Sequence, residues 1–436
     1  MVRAEGVGYY LSDLVPGRAE GSGVAGESPG EWAGRGSAAL GLQGTVDAPD
    51  LAGVLAGRDP SGGGTLRQAR GTRPVCGFDL VFAAPKAVSI LHLLAPRELG
   101  AAAGSAHVAA VGDAVGYLEG AGLGVRRTRD GDVRHLATTG AVAAGFVHRT
   151  SRALDPHLHT HVVAANVAQG TDGRWSALDS RRLFLHRRAA RAVYDASLRH
   201  HLGRSAGVAW RRVPSGTWEV SGVDPVLCRL FSRRAASIDE SSYRTAGGHG
   251  SQGVRRVAFF ADRPDKDREV SVEELRSGWA RQAASMGIDT SELVQVVVRA
   301  PPSDPGERIS GHAVAEGLDR LTTTRTHLAT RDLVTAVADA AQHGLDGREV
   351  VRVAGALEAA VGTGRRHDGR HPGLTVSDAV DRALGADPTL VERALAGRPT
   401  RPVSREGPSV EALRRSGRAV GDGLAARAGP STGLGR

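Results

Sequence analysis

The stretch Gly145-Phe146-Val147-His148-Arg149-Thr150-Ser151-Arg152-Ala153-Leu154-Asp155-Pro156-His157-Leu158-His159-Thr160-His161-Val162-Val163-Ala164-Ala165-Asn166 holds four of the chain's 16 histidines within fourteen residues. Read as a strand over Leu158–Val167, it puts His159 and His161 on one face, because successive side chains alternate. Two residues of rise separate them by about 6.5–7 Å, close enough for both imidazoles to turn onto one metal ion. A third ligand has to come from a neighbouring strand. His148 ends a preceding strand, about Ala141 to His148, across a ten-residue turn, where an antiparallel partner would lie. Three neutral imidazoles with open coordination positions describe a catalytic site rather than a closed structural one. His157 is in phase with His159 and His161 but nearer the turn, and reads as a residue supporting the ligands or touching a bound substrate. Other zinc patterns fit worse. Val162-Val163 stand where an H-x-H-x-D-H hydrolase needs its next ligands, Ala165-Asn166 where a cupin-like site needs glutamate, and no H-E-x-x-H occurs.

Upstream, Phe78-Asp79-Leu80-Val81-Phe82 alternates as a strand. Phe78, Leu80 and Phe82 point into a core, Asp79 and Val81 the other way, and Pro85-Lys86 end the run. Helical spacing follows over Leu99–Leu118, with Val108, Val111, Val115 and Leu118 on one side. Asp172-Gly173 makes a turn before Trp175, and a helix is expected over Leu185–Leu202. Ser271 and Glu274 have capping-box spacing for a helix running to about Met286. Thr330 reads as the N-cap of a helix carrying Leu333, Val334, Val337, Ala338 and Ala341. Strands interspersed with helices, with hairpin spacing around the histidines, predict an α+β domain: an antiparallel sheet flanked by helices. Residues 1–300 form this domain, with a loop at about Pro16–Gly30. Residues 305–396 form a small helical accessory region, and the Gly-, Arg-, Ser- and Pro-rich 397–436 a disordered tail.

The net charge of +9 is carried almost wholly by arginine, Lys86 and Lys266 being the only lysines. Arginine forks onto phosphates, so the composition suits a polyanionic partner, although a GC-rich genome produces the same bias. Cys76 and Cys228 are far apart and give no disulfide framework; both are expected as buried thiols. The N-terminus is no signal peptide, and no run approaches the length of a membrane span, so a soluble cytoplasmic protein is expected. No G-x-x-x-x-G-K-[ST] phosphate loop is present, which excludes a P-loop ATPase.

With these residues assembled, the sequence resembles the MobF-type conjugative relaxases of the HUH endonuclease group. The resemblance covers roughly residues 1–300. It rests on the His148 block through TSRALDPHLHTHVVAAN, on DGRWSALD (Asp172–Asp179) and on GFDLVFAAPKAVS (Gly77–Ser89). WAGRGSAALGL (Trp32–Leu42) and FSRRAASI (Phe231–Ile238) agree with it.

The resemblance implies an active site on the sheet face, with His148, His159 and His161 holding a divalent metal. It implies that Asp79 orients a metal-bound histidine or takes the proton from the nucleophile, and that an N-terminal tyrosine attacks the scissile phosphate. Tyr9, with Tyr10 beside it, fits the relaxase order, nucleophile before histidines. Tyr194 follows the histidines, as in rolling-circle replication initiators, although AVYDASL matches a relaxase position read as structural. The implied activity is nicking of single-stranded DNA at a plasmid transfer origin, leaving the enzyme on the 5′ end. The implied partners are that DNA with its flanking hairpin, possible relaxosome or coupling proteins, and no membrane. All-imidazole ligation favours Zn or Mn by softness, whereas phosphoryl chemistry commonly uses Mg. Mg or Mn is expected to support activity and Zn to bind tightly.

The chain also departs from the family. It has one tyrosine pair near its start where many relatives have two. Only eight residues precede Tyr9, as if a leading strand were lost or the start lay upstream. A Gly-rich loop follows Tyr10, and no helicase follows the relaxase region. These departures keep open a degenerate protein that binds the origin without cutting it. The C-terminal region reads as a helicase remnant or an accessory binding segment.

Overall fold

Alternation at Phe78–Phe82 and at Leu158–Val162 builds two adjacent strands of a five-stranded sheet. The computed structural model describes residues 1–3, 7–8, 29–68, 74–151, 153–214, 216–233, 271–298, 313–314, 316–317, 329–361, 390–391 and 394. Expectations for Tyr9, Tyr10, the loop that follows them, most of FSRRAASI and the C-terminal tail lie outside these residues.

The strands are β1 (Val2–Arg3), β2 (Glu31–Ala33), β3 (Val75–Ala83), β4 (Val125–Arg129), β5 (Asp132–Leu136), β6 (Ala143–Thr150) and β7 (Pro156–Ala165). The sheet runs β1-β3-β7-β6-β2, with every neighbouring pair antiparallel. β7 is therefore central, and β4–β5 form a separate two-stranded ribbon. A leading strand is present after all: Val2 pairs with Gly77 and Arg3 with Val75.

Strand β6 begins and ends two residues later than its expected limits, and β7 begins two residues earlier, at Pro156. The connection between them shortens to the five residues Ser151–Asp155. Proline is tolerated there because the first residue of a strand needs no ladder N–H.

Three helices set the inner side, α2 (Lys86–Leu94), α3 (Arg97–Tyr117) and α4 (Ser180–Ala206), while α1 (Ala48–Leu55) lies on the other face. Phe78, Phe82, Leu158, Val162 and Ala164 are buried in one cluster with residues of α2, α3 and α4. The Ser89 hydroxyl of α2 accepts the Leu158 N–H at 3.0 Å, which pins helix to strand. Helix α4 is longer than its apolar spacing suggested. The Asp179 carboxylate accepts from the Arg181 N–H at its start, and Gly207, at φ 62°, ends it.

The opposite face of the sheet carries a second, smaller cluster. There Val142, Ala144, Phe146 and Val163 pack with Trp32, Leu51, Val54 and Leu55. This cover, largely α1, stops short of one end of the sheet, where Val81 is 49% exposed. That uncovered end carries the histidines.

Beyond α4 come α5 (Pro225–Leu230) and α6 (Val272–Ala284), the latter opened by the expected Ser271–Glu274 capping box. Two further helices follow, α7 (Thr330–Ala340) and α8 (Gly347–Val361). Thr330 is the first residue of α7 and not its cap. The Ala329 N–H is taken by the Asp332 carboxylate at 3.1 Å, and the Thr330 hydroxyl donates to Glu358 at 2.7 Å.

Leu333, Val334, Val337 and Leu357 belong to the same core as the sheet's helical side. The buried Arg199 of α4 caps α7, its Nη2 donating to the carbonyls of Ala338 (2.7 Å) and Ala341 (3.0 Å). Gly344, at φ 74°, lets the α7–α8 turn lie against α4, since a Cβ there would collide with the Ala196 carbonyl. Cys76 is buried, whereas Cys228 is only half-buried. Among the described residues no helix is long and apolar enough to cross a membrane.

Candidate active site

His148 and His159 sit directly opposite each other on β6 and β7, and His161 is opposite Val81 of β3 and Phe146 of β6. Directly opposed residues share a face, so all three rings stand on the open side of the sheet. Their ring centroids lie 5.1, 5.3 and 5.3 Å apart pairwise. One nitrogen from each lies within 4.8 Å of the others, a spacing that admits a single ion between them.

Asp79 pairs with Val163, which makes it the diagonal neighbour of His161. Its two carboxylate oxygens are 2.9 and 3.0 Å from His161 Nδ1.

His157 does not join the three. Pairing slips between His148–His159 and Thr150–Pro156, a β-bulge, and His157 lies in that irregular stretch. Its ring stacks on His159 at 4.5 Å, and its carbonyl accepts from His159 Nδ1 at 2.9 Å.

These bonds fix the tautomers. A carbonyl and a carboxylate only accept, so His159 and His161 each carry a proton on Nδ1, and Nε2 is the nitrogen each can offer to a metal. Burial, followed by the neighbouring imidazoles, pushes His148 down to about 2 and His159 down to about 4. Both are therefore neutral near pH 7, the form in which imidazole binds a metal. A cluster of lone pairs with a carboxylate behind one ring fits a divalent cation.

The turn that joins the two histidine strands is clamped from outside. Leu154 adopts φ 55°, uncommon for a branched residue, and its carbonyl accepts the Trp279 indole N–H at 3.0 Å. Arg233 donates to the buried Asp155 carboxylate (2.7 Å) and to the Ala153 carbonyl (2.9 Å). The Lys86 ammonium donates to the Pro156 carbonyl at 2.7 Å.

Tyr194 is fully buried on the helical side of the sheet. It is hydrogen-bonded to His107 at 2.8 Å, and burial holds its phenol well above the ordinary range. It lies in the core opposite the histidine face, so the reading with Tyr194 as nucleophile is set aside.

The Asp172–Asp179 block does structural work. Asp172 takes both a 2.8 Å and a 2.9 Å bond from Arg127 of the β4–β5 ribbon. Asn166, at the end of β7, accepts the Leu178 N–H and donates to the Val75 carbonyl.

Sequence reading passed over that ribbon. Its signal was Val125-Arg126-Arg127-Thr128-Arg129-Asp130-Gly131-Asp132-Val133, in which Asp130 and Gly131 have the positive φ of a tight hairpin turn. Arg126, Arg129 and Arg134 are exposed on it.

The pattern of the TrwC relaxase family matches residues 3–286, the greater part of the chain. The chain belongs to the TrwC relaxase family. Two Escherichia coli proteins, each a multifunctional conjugation protein TraI, are 35% and (strain K12) 34% identical over 281 residues. The match spans 61% of this chain but only 15% of either TraI. Among solved structures, the conjugative relaxase TrwC in complex with oriT DNA, metal-free or metal-bound, is 31% identical with a TM-score of 0.59. That likeness covers 66% of this chain and 98% of TrwC's. The expected antiparallel sheet flanked by helices is thus the TrwC relaxase fold. The histidine face lies wholly within the family span, whereas α7 and α8 lie beyond it.

Proposed function

We propose that this chain is a site- and strand-specific single-stranded DNA transesterase that nicks a plasmid transfer origin and so initiates conjugative transfer. The observation that carries the reading is the convergence of His148, His159 and His161 on the open sheet face, with Asp79 behind His161, in a TrwC relaxase. His148, His159 and His161 hold a divalent metal; Mg or Mn supports the reaction, and Zn binds more tightly to three imidazoles. A divalent cation held by these three imidazoles would supply charge neutralisation at the scissile phosphate.

Tyr9, with Tyr10 as the alternative, supplies the nucleophile. The tyrosine oxygen attacks phosphorus, the bond to the 3′ oxygen breaks, and the proton given up by the phenol ends on that oxygen, which leaves as a 3′-hydroxyl. The 5′-phosphotyrosyl link keeps the bond energy, so a 3′-hydroxyl reverses the step. The two bonds from Asp79 to His161 Nδ1 favour an orienting role for Asp79 over proton removal from tyrosine.

The exposed arginines of the β4–β5 ribbon support contact with the DNA backbone beside the nick site. The structure of TrwC has been solved in complex with a 27-mer DNA comprising the recognition hairpin and the cleavage site, and a hairpin beside the nick is proposed as the ligand here. The family-matched region with its sheet is proposed as the catalytic unit and the α7–α8 region as an accessory to it, acting in the cytoplasm.

The test is to incubate the protein with single-stranded oligonucleotides tiled across a cognate transfer origin, with manganese or with EDTA. Denaturing gels and peptide mapping then look for a DNA adduct. A metal-dependent adduct on Tyr9 or Tyr10, lost in the corresponding phenylalanine variant, is expected. An adduct that persists when both tyrosines are replaced would overturn the assignment.

A further inference from the structure

Four side chains of β7 face the helices: Leu158, Thr160, Val162 and Ala164. Only Thr160 is polar, and it stands between His159 and His161, pointing away from them. Its hydroxyl is 2.7 Å from His107 Nε2 on α3, and His107 Nδ1 is 2.8 Å from the Tyr194 hydroxyl on α4. Each of the three is at most 2% exposed, against an apolar cluster that includes Phe82, whose ring lies 5.6 Å from Tyr194; the Arg191 guanidinium lies 5.2 Å from the Tyr194 ring.

A valine at position 160 would pack here without hydrogen-bond demands, so stability alone gives no reason for the triplet. Apolar contacts are non-directional and tolerate sliding of a strand by fractions of an ångström. Hydrogen bonds of 2.7–2.8 Å are directional and do not. A neutral imidazole has one donor and one acceptor, and two hydroxyls satisfy both, so the chain is complete in either direction.

We infer that His107 is a positioning residue for the metal centre, holding β7 through Thr160 at the height and twist that bring His159 and His161 together with His148. This rests on the proposed role of those three histidines. A one-residue slip of β7 would put Thr160 on the open face and the imidazoles in the core. The His107 bond forms only in the productive register. Within that register it fixes the backbone midway between two ligands, where a metal site tolerates about half an ångström of error.

The test is manganese affinity of the full chain by isothermal titration, with amide hydrogen exchange of β7 read in the metal-free protein. Thr160→Val keeps the shape and deletes the hydroxyl; Thr160→Ser keeps the hydroxyl. Leu198→Ala removes a fully buried side chain of α4 outside the triplet, as a stability control. Thr160→Val and His107→Phe are expected to weaken manganese binding about tenfold, in the range found for residues that orient ligands, and to speed exchange in β7. Thr160→Ser is expected to bind as the parent does, and Leu198→Ala to lose stability but not affinity. Parental affinity in Thr160→Val, or an equal loss in Leu198→Ala, would overturn the inference. His148→Ala separates the two levels: if it too binds manganese normally, the metal centre itself is wrong, and the positioning role goes with it.

Discussion

Both carboxylate oxygens of Asp79 lie within 3.0 Å of Nδ1 of His161, although the two residues are 82 positions apart in the chain. The pairing of Asp79 with Val163 sets the contact, placing Asp79 one diagonal step from the imidazole. An ionised carboxylate there keeps the Nδ1 proton in place and makes Nε2 more basic. Asp79→Asn preserves the shape but weakens the acceptor and removes the charge. Metal affinity is expected to fall about tenfold, with the fold intact by circular dichroism. Affinity unchanged within a factor of two would show that Asp79 does not serve the metal centre.

His107 makes stability depend on pH. Burial, followed by the nearby imidazoles and Arg191, pushes it down to about 3 from 6.5. In the unfolded chain it takes a proton as pH falls through about 6.5; in the folded chain it does not until far lower. Its contribution is therefore full above pH 6.5 and drains away as pH falls towards 3. The unfolding free energy of the metal-free protein, read from urea titrations, is expected to drop between about pH 7 and pH 5, by up to ~1.4 kcal/mol per pH unit for each such histidine. His107→Phe should flatten that slope. A slope as steep in the variant as in the parent would remove His107 from the account.

Arg199 is the bolt between the family-matched domain and α7. Besides its Nη2 bonds, Nη1 donates to the Asp195 carbonyl at 3.1 Å, and Trp218 lies 5.3 Å from the guanidinium. Removing it leaves the buried carbonyls of Ala338 and Ala341 without this donor at a helix C-terminus, where the dipole favours a cation. Arg199→Met is expected to cost about 3 kcal/mol in urea unfolding. It should also open the chain to proteases ahead of α7, and a proteolytic pattern identical to the parent's would argue against the bolt.

The ribbon arginines offer a test of the proposed contact with the DNA backbone. Arg126, Arg129 and Arg134 replaced together by alanine should weaken binding of an origin hairpin and lower its salt dependence by about 0.7–0.9 per lost phosphate contact. Binding with an unchanged salt slope would move the backbone contacts elsewhere. Manganese affinity should stay the same, because the ribbon is separate from the five-stranded sheet.

Much of this protein was legible in its residue order. Alternation in Phe78–Phe82 and in Leu158–His161 has a period of two, and period alone puts Asp79 and the histidines on one face with Phe78, Phe82 and Leu158 on the other. Local chemistry also announced the Ser271–Glu274 capping box and the Asp172-Gly173 turn. What depended on partners distant in sequence did not show. The bulge that separates His157 from the other three arises from the pairing of β6 with β7. Apolar spacing understated α4 because its ends are set by Asp179 and Gly207, which are not apolar. The β4–β5 ribbon has too little apolar surface to betray itself. Tyr194, read as structural, kept a nucleophile reading open until α4 was packed on the helical side of the sheet. Sequence determined the chemistry carried on each strand face, because side-chain direction is a property of the local backbone. Tertiary structure alone decided which of those groups meet, because strand register, helix packing and the Thr160–His107–Tyr194 bonds join residues far apart in the chain.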